Sequence, residues 1–398
     1  MYRGVITLSI HRTTRNVAAM NGTSDMKAGG GGEWSIKRDR LAEFLDEHHF
    51  DGVLLTLRSN FAWVTGGKDN HIANNTPVGV ASILATKDGK RVCIANNIES
   101  PRIKAQELAD LGIETVRFPW YDGAVGQKVV RDLIAGRKIC SDSEAFALHL
   151  PPVPGSFNAL RWELTPAEID RIRDGGRRGS RAMEAACRSL QRGMTEEEMA
   201  GLLDLEVHRA GLNPLVTLVT GDDRIRQFRH PIPKPIACNE LVMLVTCAEF
   251  AGLIACLTRF VAFVEPTKEQ RDKCQAVANI DAAVNLATQP GRTLGEIFDD
   301  LRRAYAENGH ADQWQNHHQG GSTGYLPREM VATPSSPVPV LANQAFAWNP
   351  SIVGAKSEDT VLCTENGIEV LTGASNDWPS IEGKSSAGNL RRAAWLIA

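Results

Sequence analysis

A cluster of prolines at residues 151–154 divides this chain of 398 residues into two stretches with different sequence patterns. Proline fixes its own backbone angle and has no amide proton, so such a cluster interrupts both helices and strands. Residues 165–168, Thr-Pro-Ala-Glu, then have the pattern of a helix start: a capping threonine, a proline at the first helical position, and a glutamate whose side chain can accept from the threonine amide. The chain is also too long for one hydrophobic core. The sequence therefore predicts two domains that meet near residue 155.

The stretch before the prolines alternates between helical and strand-like periodicity, which is typical of an α/β domain. The predicted helices lie near residues 38–45, 102–111 and 127–134, and the predicted strands are 52–57, 80–84, 91–95, 114–118 and 138–140. We assign residues 34–155 to this domain. Residues 1–33 end in four consecutive glycines and have little periodicity, so they are predicted to be a flexible leader outside the fold.

The stretch after the prolines contains further helix starts of the same kind. Thr195 with Glu198, and Thr293 with Glu296, repeat the spacing of a capping threonine and a glutamate. Strand-like runs occur at residues 215–220, 241–246, 253–263, 345–348 and 360–371. These elements predict an α+β domain over residues 156–398, with strands in one layer and helices in another.

Composition and charge exclude several classes of protein. A formal net charge of −3 provides no basic surface of the kind that nucleic acids require, and no apolar run approaches the roughly 20 residues that cross a bilayer. The eight cysteines are scattered, without a Cys-x-x-Cys pair, as is typical of reduced thiols in a cytosol. We therefore predict a cytoplasmic protein that binds neither nucleic acid nor membranes.

Five short motifs occur along the chain: residues 60–66 (Asn-Phe-Ala-Trp-Val-Thr-Gly), 164–169 (Leu-Thr-Pro-Ala-Glu-Ile), 257–260 (Leu-Thr-Arg-Phe), 318–321 (His-Gln-Gly-Gly) and 358–360 (Glu-Asp-Thr). In this order and spacing they resemble motifs of the creatinase and Xaa-Pro peptidase superfamily. The resemblance covers residues 34–372. It implies an α+β fold in which a pita-bread catalytic domain follows a smaller α/β creatinase-like N-terminal domain.

The resemblance also implies where a metal centre would lie. Peptidases of this family hold two divalent ions with two aspartates, one histidine and two glutamates, and the ions lower the pKa of a bound water. The corresponding positions here are Val245, Cys256, His318, Asn349 and Glu358. Among them, His318 and Glu358 keep a ligand of the family type. We therefore expect neither a two-metal centre nor any other required cofactor.

Cys256, His318 and Glu358 are still expected to converge, which leaves three alternatives open. They can hold a single zinc ion through sulfur, nitrogen and oxygen, with an open fourth position. Cys256 can instead act as a thiolate nucleophile that His318 activates. In the third alternative, Cys256 is a small buried side chain in a strand, as most free cysteines are.

His230 is the first candidate for proton transfer. It lies in the loop 228–233, at the place where creatinase, which works without metal and resembles this fold, has its acid and base. An imidazole titrates near neutral pH, as such a role requires. In the alternative, His230 fixes only the loop backbone.

The catalytic candidates are therefore His230, His318, Glu358 and Cys256. The residues expected to bind the substrate are Asn349, Tyr325, Trp348, Glu329, Arg328, His317 and Lys356. Glycines within residues 316–325 allow a ligand to approach the backbone closely. Alternatively, this segment is a tight turn with a buried hydrogen-bond network.

These residues predict a metal-independent enzyme of the creatinase type that acts on a small nitrogenous molecule, most simply by hydrolysis of a C–N bond. The alternatives are a lyase or isomerase with the same acid and base, a metal-dependent Xaa-Pro peptidase, and a non-catalytic binding protein. A homodimer is also expected, because sites in this family resemble clefts shared between chains and two-fold pairs are the commonest assembly. Residues 61–63 and 68–71 are the predicted contact with the partner chain.

Overall fold

The computed structural model describes residues 30–398, and its N-terminal half contains a mixed sheet. The strands are β1 (Gly52–Leu57), β2 (Val78–Thr86), β3 (Arg91–Asn96), β4 (Glu114–Phe118) and β5 (Ile139–Ser141), in the order β4-β3-β2-β1-β5. The pairs β1–β2 and β2–β3 are antiparallel, whereas β3–β4 and β1–β5 are parallel. Leu55 and Ile83 pack in one core cluster and Leu54 and Leu84 in another, so both faces of the sheet are covered.

The helices of this half are α1 (Gly30–Glu47), α2 (Arg58–Thr65), α3 (Ser100–Arg102), which continues as a π-helical turn over Ile103–Glu107, and α4 (Gly123–Ile134). The predicted leader, residues 1–33, lies outside the described residues except at its end, where residues 30–33 begin α1. Glu33 holds this first turn in place, because its carboxylate pairs with Lys37 and, at 2.6 Å, with Arg171. The end of the predicted leader is thus helical rather than flexible.

Helix α2 contains most of the first motif and is almost entirely buried. Phe61 and Trp63 have no exposed surface and pack in the same core cluster as Leu41 of α1. This corrects the prediction that residues 61–63 contact a partner chain, because their aromatic side chains lie in the core of their own chain. The homodimer itself stays a prediction.

The second half contains the helices α5 (Pro166–Ser189), α6 (Glu196–Arg209), α7 (Arg224–Gln227), α8 (Lys268–Ala287) and α9 (Leu294–Glu307). The three predicted capping boxes, headed by Thr165, Thr195 and Thr293, are confirmed: each threonine side chain accepts from the amide of its glutamate, whose side chain accepts from the threonine amide. Thr267 and Gln270 form a further capping box, which was not predicted, at the start of α8.

These helices cover two sheets, which are antiparallel except for one short C-terminal strand. The first sheet has the order β18-β8-β7-β6 and consists of β6 (Asn213–Gly221), β7 (Leu241–Phe250), β8 (Leu253–Ala262) and β18 (Leu396–Ile397). The second has the order β10-β9-β11-β14-β15 and consists of β9 (Gly320–Thr323), β10 (Met330–Val331), β11 (Gln344–Trp348), β14 (Asp359–Thr364) and β15 (Gly367–Val370). Two further pairs are β12 (Ser351–Ile352) with β13 (Ala355–Lys356), and β16 (Ser380–Ser385) with β17 (Gly388–Ala393).

The apolar faces of these sheets pack against helices. Leu244 of β7 and Leu257 of β8 pack with Met183 of α5 and Leu203 of α6. Phe346 of β11 belongs to a second cluster that includes residues of α8 and α9. Helices therefore cover both sheets, which confirms the predicted α+β fold.

The C-terminal segment forms part of the core. Arg392 of β17 is buried and pairs with Asp281 of α8 and, at 2.8 Å, with Asp359 of β14. The predicted strand-like run at residues 360–371 is a hairpin of β14 and β15 rather than one strand, because the chain turns between Thr364 and Gly367.

Among the described residues, no helix is long and apolar enough to cross a membrane. All eight cysteines are buried and free. The cytoplasmic location stays a prediction.

Candidate active site

Three strands of the second sheet bring distant parts of the chain to one end. Trp348, the last residue of β11, pairs with Gly320 at the start of β9 and with Asp359 at the start of β14. His318 precedes β9 and Glu358 precedes β14. The register of these strands explains why motifs that are well separated in the sequence share one end of the sheet.

Glu358 is a buried carboxylate held by two cations. Its Oε2 accepts hydrogen bonds from Lys356 Nζ at 2.7 Å and Thr258 Oγ1 at 2.8 Å, and its Oε1 accepts one from Arg328 Nη2 at 2.8 Å. Burial alone would raise the pKa of this carboxyl, but the charges of Lys356 and Arg328 outweigh burial and lower the pKa to about 2. Glu358 is therefore ionised, and protein groups already engage both of its oxygens.

The hairpin of β7 and β8 adds a thiol to this network. Cys256 pairs with Cys247 across the hairpin and Val245 pairs with Thr258, so all four side chains lie on one face of the sheet. Arg328 Nη1 lies 3.3 Å from the Cys256 sulfur. A hydrogen bond from Cys247 lowers the pKa of the Cys256 thiol, burial opposes this, and the charge of Arg328 lowers it further. One guanidinium thus links this sulfur to the carboxylate described above.

Three histidines converge near these charges. They are His230, from the loop after α7, and His317 and His318, from the segment before β9. One nitrogen of each ring lies within 4.8 Å of one nitrogen in each of the other two rings. The Nε2 atoms of His317 and His230 are 2.9 Å apart, which is hydrogen-bond distance. Burial and the charge of Lys356 lower the pKa of His230 below its usual value, and they lower the pKa of His317 to about 2. Burial and the charge of Arg328 lower the pKa of His318 to about 4. The three imidazoles are therefore neutral near neutral pH.

Hydrogen bonds from the neighbouring residues hold both segments of this cluster. Arg229, next to His230, donates to the carbonyl oxygen of Ile352 at 3.2 Å. Gln319, next to His318, accepts from the Tyr305 hydroxyl at 2.7 Å through its Oε1. The histidines are thus fixed by their neighbours in sequence.

Residues 170–365, which include most of the second half of the chain, match the family model described as metallopeptidase family M24. These residues form an M24 domain.

Known proteins that resemble most of the chain are named as peptidases, dipeptidases or prolidases. An uncharacterized peptidase of Staphylococcus aureus strain MW2 is 22% identical over 359 residues and covers 84% of this chain and 98% of its own length. The Xaa-Pro dipeptidase of Bacillus anthracis has a TM-score of 0.73 at 19% identity and covers 92% of this chain and 100% of that chain. The prolidase of Pyrococcus horikoshii OT3 has a TM-score of 0.71 at 19% identity, covering 86% and 99%.

The same fold also occurs in a protein that is not named as a peptidase. The N-terminal domain of a FACT complex subunit from chickpea, Cicer arietinum, has a TM-score of 0.62 at 13% identity and covers 86% of this chain and 97% of that chain. At such identities these structures show the shared fold alone, so the chemistry must be argued from the site.

The M24 domain does not have the ligands for the two ions that the family resemblance implies. Val245 is an apolar side chain of the core, and Arg328 engages both the sulfur of Cys256 and the carboxylate of Glu358. Asn349 offers a neutral amide, whose Oδ1 is buried and has no hydrogen-bond partner among residues 30–398. A guanidinium between two ligand positions also repels a second cation there. The residues present therefore do not fit a two-ion cluster.

The single zinc site that was left open as an alternative for Cys256, His318 and Glu358 does not assemble in the M24 domain. Within the part of the chain that the structure describes, the three potential ligands that converge are the histidines. Cys256 contacts Arg328 and forms no hydrogen bond with His318 in the described residues. Geometry therefore gives no support to a thiolate that His318 activates.

Tyr325 belongs to a different network, where α1 meets α5. Its hydroxyl donates to Glu168 Oε1 at 2.6 Å and accepts from Lys37 Nζ at 3.1 Å and Arg171 Nη2 at 3.2 Å. The phenol is 3% exposed. This position does not support the prediction that Tyr325 binds substrate, because its hydroxyl is already used to join the two halves of the chain.

Glu329 and Trp348 also serve the fold. Glu329 accepts from Arg161 Nη2 at 2.8 Å, and the indole of Trp348 donates to Thr288 Oγ1 at 2.9 Å. Neither side chain is exposed. The predicted substrate contacts of these two residues are therefore corrected to core contacts.

Sequence analysis missed Cys247 as a member of the site. It lies opposite Cys256, and the chain reverses between them at Ala251 and Gly252, which have positive φ angles. Residues equally far from a two-residue turn face each other across a hairpin. Counting outward from this Ala-Gly pair would have identified Cys247 as the partner of Cys256.

Proposed function

We propose that this chain is a hydrolase of C–N bonds in a small molecule, and that it works without the two-ion cluster of the peptidases it resembles. The observation that carries the proposal is the position of Arg328, which bonds both Cys256 and Glu358 where those peptidases are expected to bind metal. A fixed guanidinium can orient or stabilise an anionic group by charge and directed hydrogen bonds. In such a site, the guanidinium of Arg328 supplies the positive charge that two metal ions supply in the peptidases.

The histidine cluster is where the water would be activated. Water adds to the carbon of the C–N bond, a C–O bond forms, the C–N bond breaks, and the leaving nitrogen takes a proton. His230 is exposed and therefore accessible to a substrate, and its contact with His317 at 2.9 Å restricts its orientation. The acid and base role predicted for His230 is compatible with this geometry.

The charges favour a substrate that carries an anionic group. Lys356 and Arg328 both pair with the single carboxylate of Glu358. The unpartnered Oδ1 of Asn349 is an acceptor that suits an N–H of the substrate. Trp348 and Tyr325, which were expected to bind the substrate, are left out of this proposal because both rings are buried in other contacts. A small carboxylic acid with an amide, ureido or guanidino nitrogen fits these groups.

A metal-dependent Xaa-Pro peptidase is the second candidate. The names of the Staphylococcus aureus peptidase, the Xaa-Pro dipeptidase and the prolidase favour it. The replacement of family ligands at Val245, Cys256 and Asn349 speaks against it.

A turnover screen on the full chain separates the two candidates. The compounds are N-acyl, N-carbamoyl and guanidino carboxylic acids beside Xaa-Pro dipeptides, with released amine or ammonia as the readout. We expect turnover of a non-peptide acid that falls about 10²–10⁴-fold in His230→Ala. His310→Ala, which changes a histidine outside the cluster, is the matched control and should leave turnover unchanged. Cleavage confined to Xaa-Pro dipeptides would contradict the proposal and support the second candidate.

A further inference from the structure

The three histidines have the arrangement of a metal site as well as that of a proton relay. One nitrogen of each ring lies within 4.8 Å of one nitrogen in each of the others, and the Nε2 atoms of His317 and His230 are 2.9 Å apart. Nitrogens that bind one zinc ion at about 2.1 Å in a tetrahedral site lie roughly 3.4 Å from one another. Small rotations of the rings are therefore enough to place all three nitrogens around one ion.

Hydrogen bonds alone do not satisfy this cluster. Three neutral imidazoles present three N–H donors and three acceptor nitrogens. Among the described residues, the rings share one hydrogen bond, between His317 and His230. The Nδ1 atom of His317, the most buried of the three rings, has no partner in the same part of the chain. Beyond that one hydrogen bond, the ring nitrogens of the cluster have no protein partner in the described residues and are open to a ligand.

We propose that His230, His317 and His318 together bind one divalent transition-metal ion, with zinc as the expected metal, and leave its fourth position open to water or substrate. Three neutral imidazoles with an open position are a ligand set of catalytic zinc. Imidazole also suits copper, nickel and cobalt, whereas magnesium and calcium prefer oxygen ligands. The two-ion cluster fails for lack of carboxylates, and the histidine site does not need them.

The charges beside the cluster bear on what occupies the fourth position. Lys356 and Arg328 oppose the approach of a bare cation, and Glu358 offsets part of their effect. The same two cations stabilise an anion on the metal, such as hydroxide or the carboxylate of a substrate. We therefore expect zinc to bind more tightly when a small carboxylate such as acetate is present.

The catalytic role of the ion rests on the proposed function, whereas the binding of the ion does not. An ion at these nitrogens would activate the water, so the histidines would act as ligands instead of as acid and base. Metal affinity and turnover are measured separately, and the two proposals can therefore fail separately.

Zinc titration of the chelator-treated full chain tests the inference. We expect one equivalent of zinc by calorimetry, and a visible spectrum typical of a tetrahedral site when cobalt(II) replaces zinc. Loss of an outer-shell partner alone lowers metal affinity about 10–100-fold, so His317→Ala and His230→Ala should each lower it by more than about 100-fold. His310→Ala and Cys256→Ala should bind as the unchanged chain does. His230→Ala changes an exposed loop residue, so it serves as the informative variant if His317→Ala fails to fold.

Each outcome decides the matter. Zinc affinity that is equal in the histidine variants and in the unchanged chain would overturn the inference, and so would affinity that is lost in Cys256→Ala. Full turnover by the metal-free chain would leave the proposed hydrolase intact and contradict a catalytic role for the ion, while the zinc titration alone decides its binding. One tightly bound zinc without turnover of any acid in the screen would support the metal and contradict the hydrolase.

Discussion

Arg328 donates a hydrogen bond to Glu358 over 2.8 Å, and the two side chains are only 13% and 2% exposed. The motif around Glu358 resembles one in which the family has a metal ligand. Here the guanidinium of Arg328 pairs with that carboxylate in place of a metal ion, and its Nη1 contacts the sulfur of Cys256. The charge of the buried glutamate is therefore balanced by the protein itself.

Arg328→Gln is expected to destabilise the fold, because it leaves the buried Glu358 paired with Lys356 alone. Breaking a buried ion pair by removing one partner costs about 3–5 kcal/mol of unfolding free energy. Because Lys356 still pairs with Glu358, we expect a loss near the lower end of this range. Urea unfolding measures the loss. Arg302→Gln, in an exposed pair with Asp299, is the control, with an expected loss of about 0–1 kcal/mol. Equal losses in the two variants would show that the Arg328 pair is not buried in solution.

Tyr325→Phe separates a structural role from a role in binding. The change leaves the buried carboxylate of Glu168 without its hydrogen bond from the phenol, at an expected cost of about 1–3 kcal/mol of unfolding free energy. The KM of the substrate should be unchanged, because the hydroxyl lies between α1 and α5. A raised KM at unchanged stability would restore the substrate-binding interpretation.

Local patterns predicted the parts of this fold that depend on neighbours in sequence. The capping boxes at Thr165, Thr195 and Thr293 are confirmed because both partners of each box lie within one helical turn. The family resemblance also implied that Cys256, His318 and Glu358 converge, and the segments of His318 and Glu358 do meet at one end of the second sheet.

Contacts between distant residues could not be predicted in the same way. Tyr325 resembles a site residue by its motif, but Glu168 and Lys37, which decide its role, lie far away in the sequence. The contact of Arg328 with Cys256 depends equally on tertiary packing. A motif indicates which residues lie near a site, whereas their partners decide what each one does.

The pH dependence of stability should reveal the Glu33 network. Burial alone would raise the pKa of Glu33, but hydrogen bonds and charge from Arg171 and Lys37 outweigh it and lower the pKa to about 2 from 4.5. A lowered carboxyl pKa stabilises the fold above pH 4.5, and this stabilisation is lost as the pH falls toward 2. At about 1.4 kcal/mol per pKa unit, the contribution at neutral pH is about 3 kcal/mol.

Urea unfolding of the unchanged chain and of Glu33→Gln at pH values between 7 and 3 measures this contribution. The difference in unfolding free energy should be largest near neutral pH and should shrink below pH 4.5. A difference that stays constant over this range would contradict the lowered pKa.

Cys256→Ala tests whether the buried thiol takes part in the reaction. We expect the variant to keep most of its turnover, because the sulfur contacts Arg328 and Cys247 rather than the histidine cluster. Cys247→Ala is the matched control on the facing strand. Loss of nearly all turnover in Cys256→Ala alone would identify a thiolate nucleophile.

The number of metal ions per chain tests most directly the claim that this site has replaced the two-ion cluster. The full chain is treated with chelator, incubated with excess manganese, cobalt or zinc, passed through a desalting column and measured by elemental analysis. The account predicts one zinc ion per chain and no second ion of any of the three metals. It also predicts that Glu358→Gln does not change this number, while His317→Ala lowers it. Two ions per chain, with one of them lost in Glu358→Gln, would contradict the account and show that a two-ion peptidase centre forms in spite of the replaced ligands.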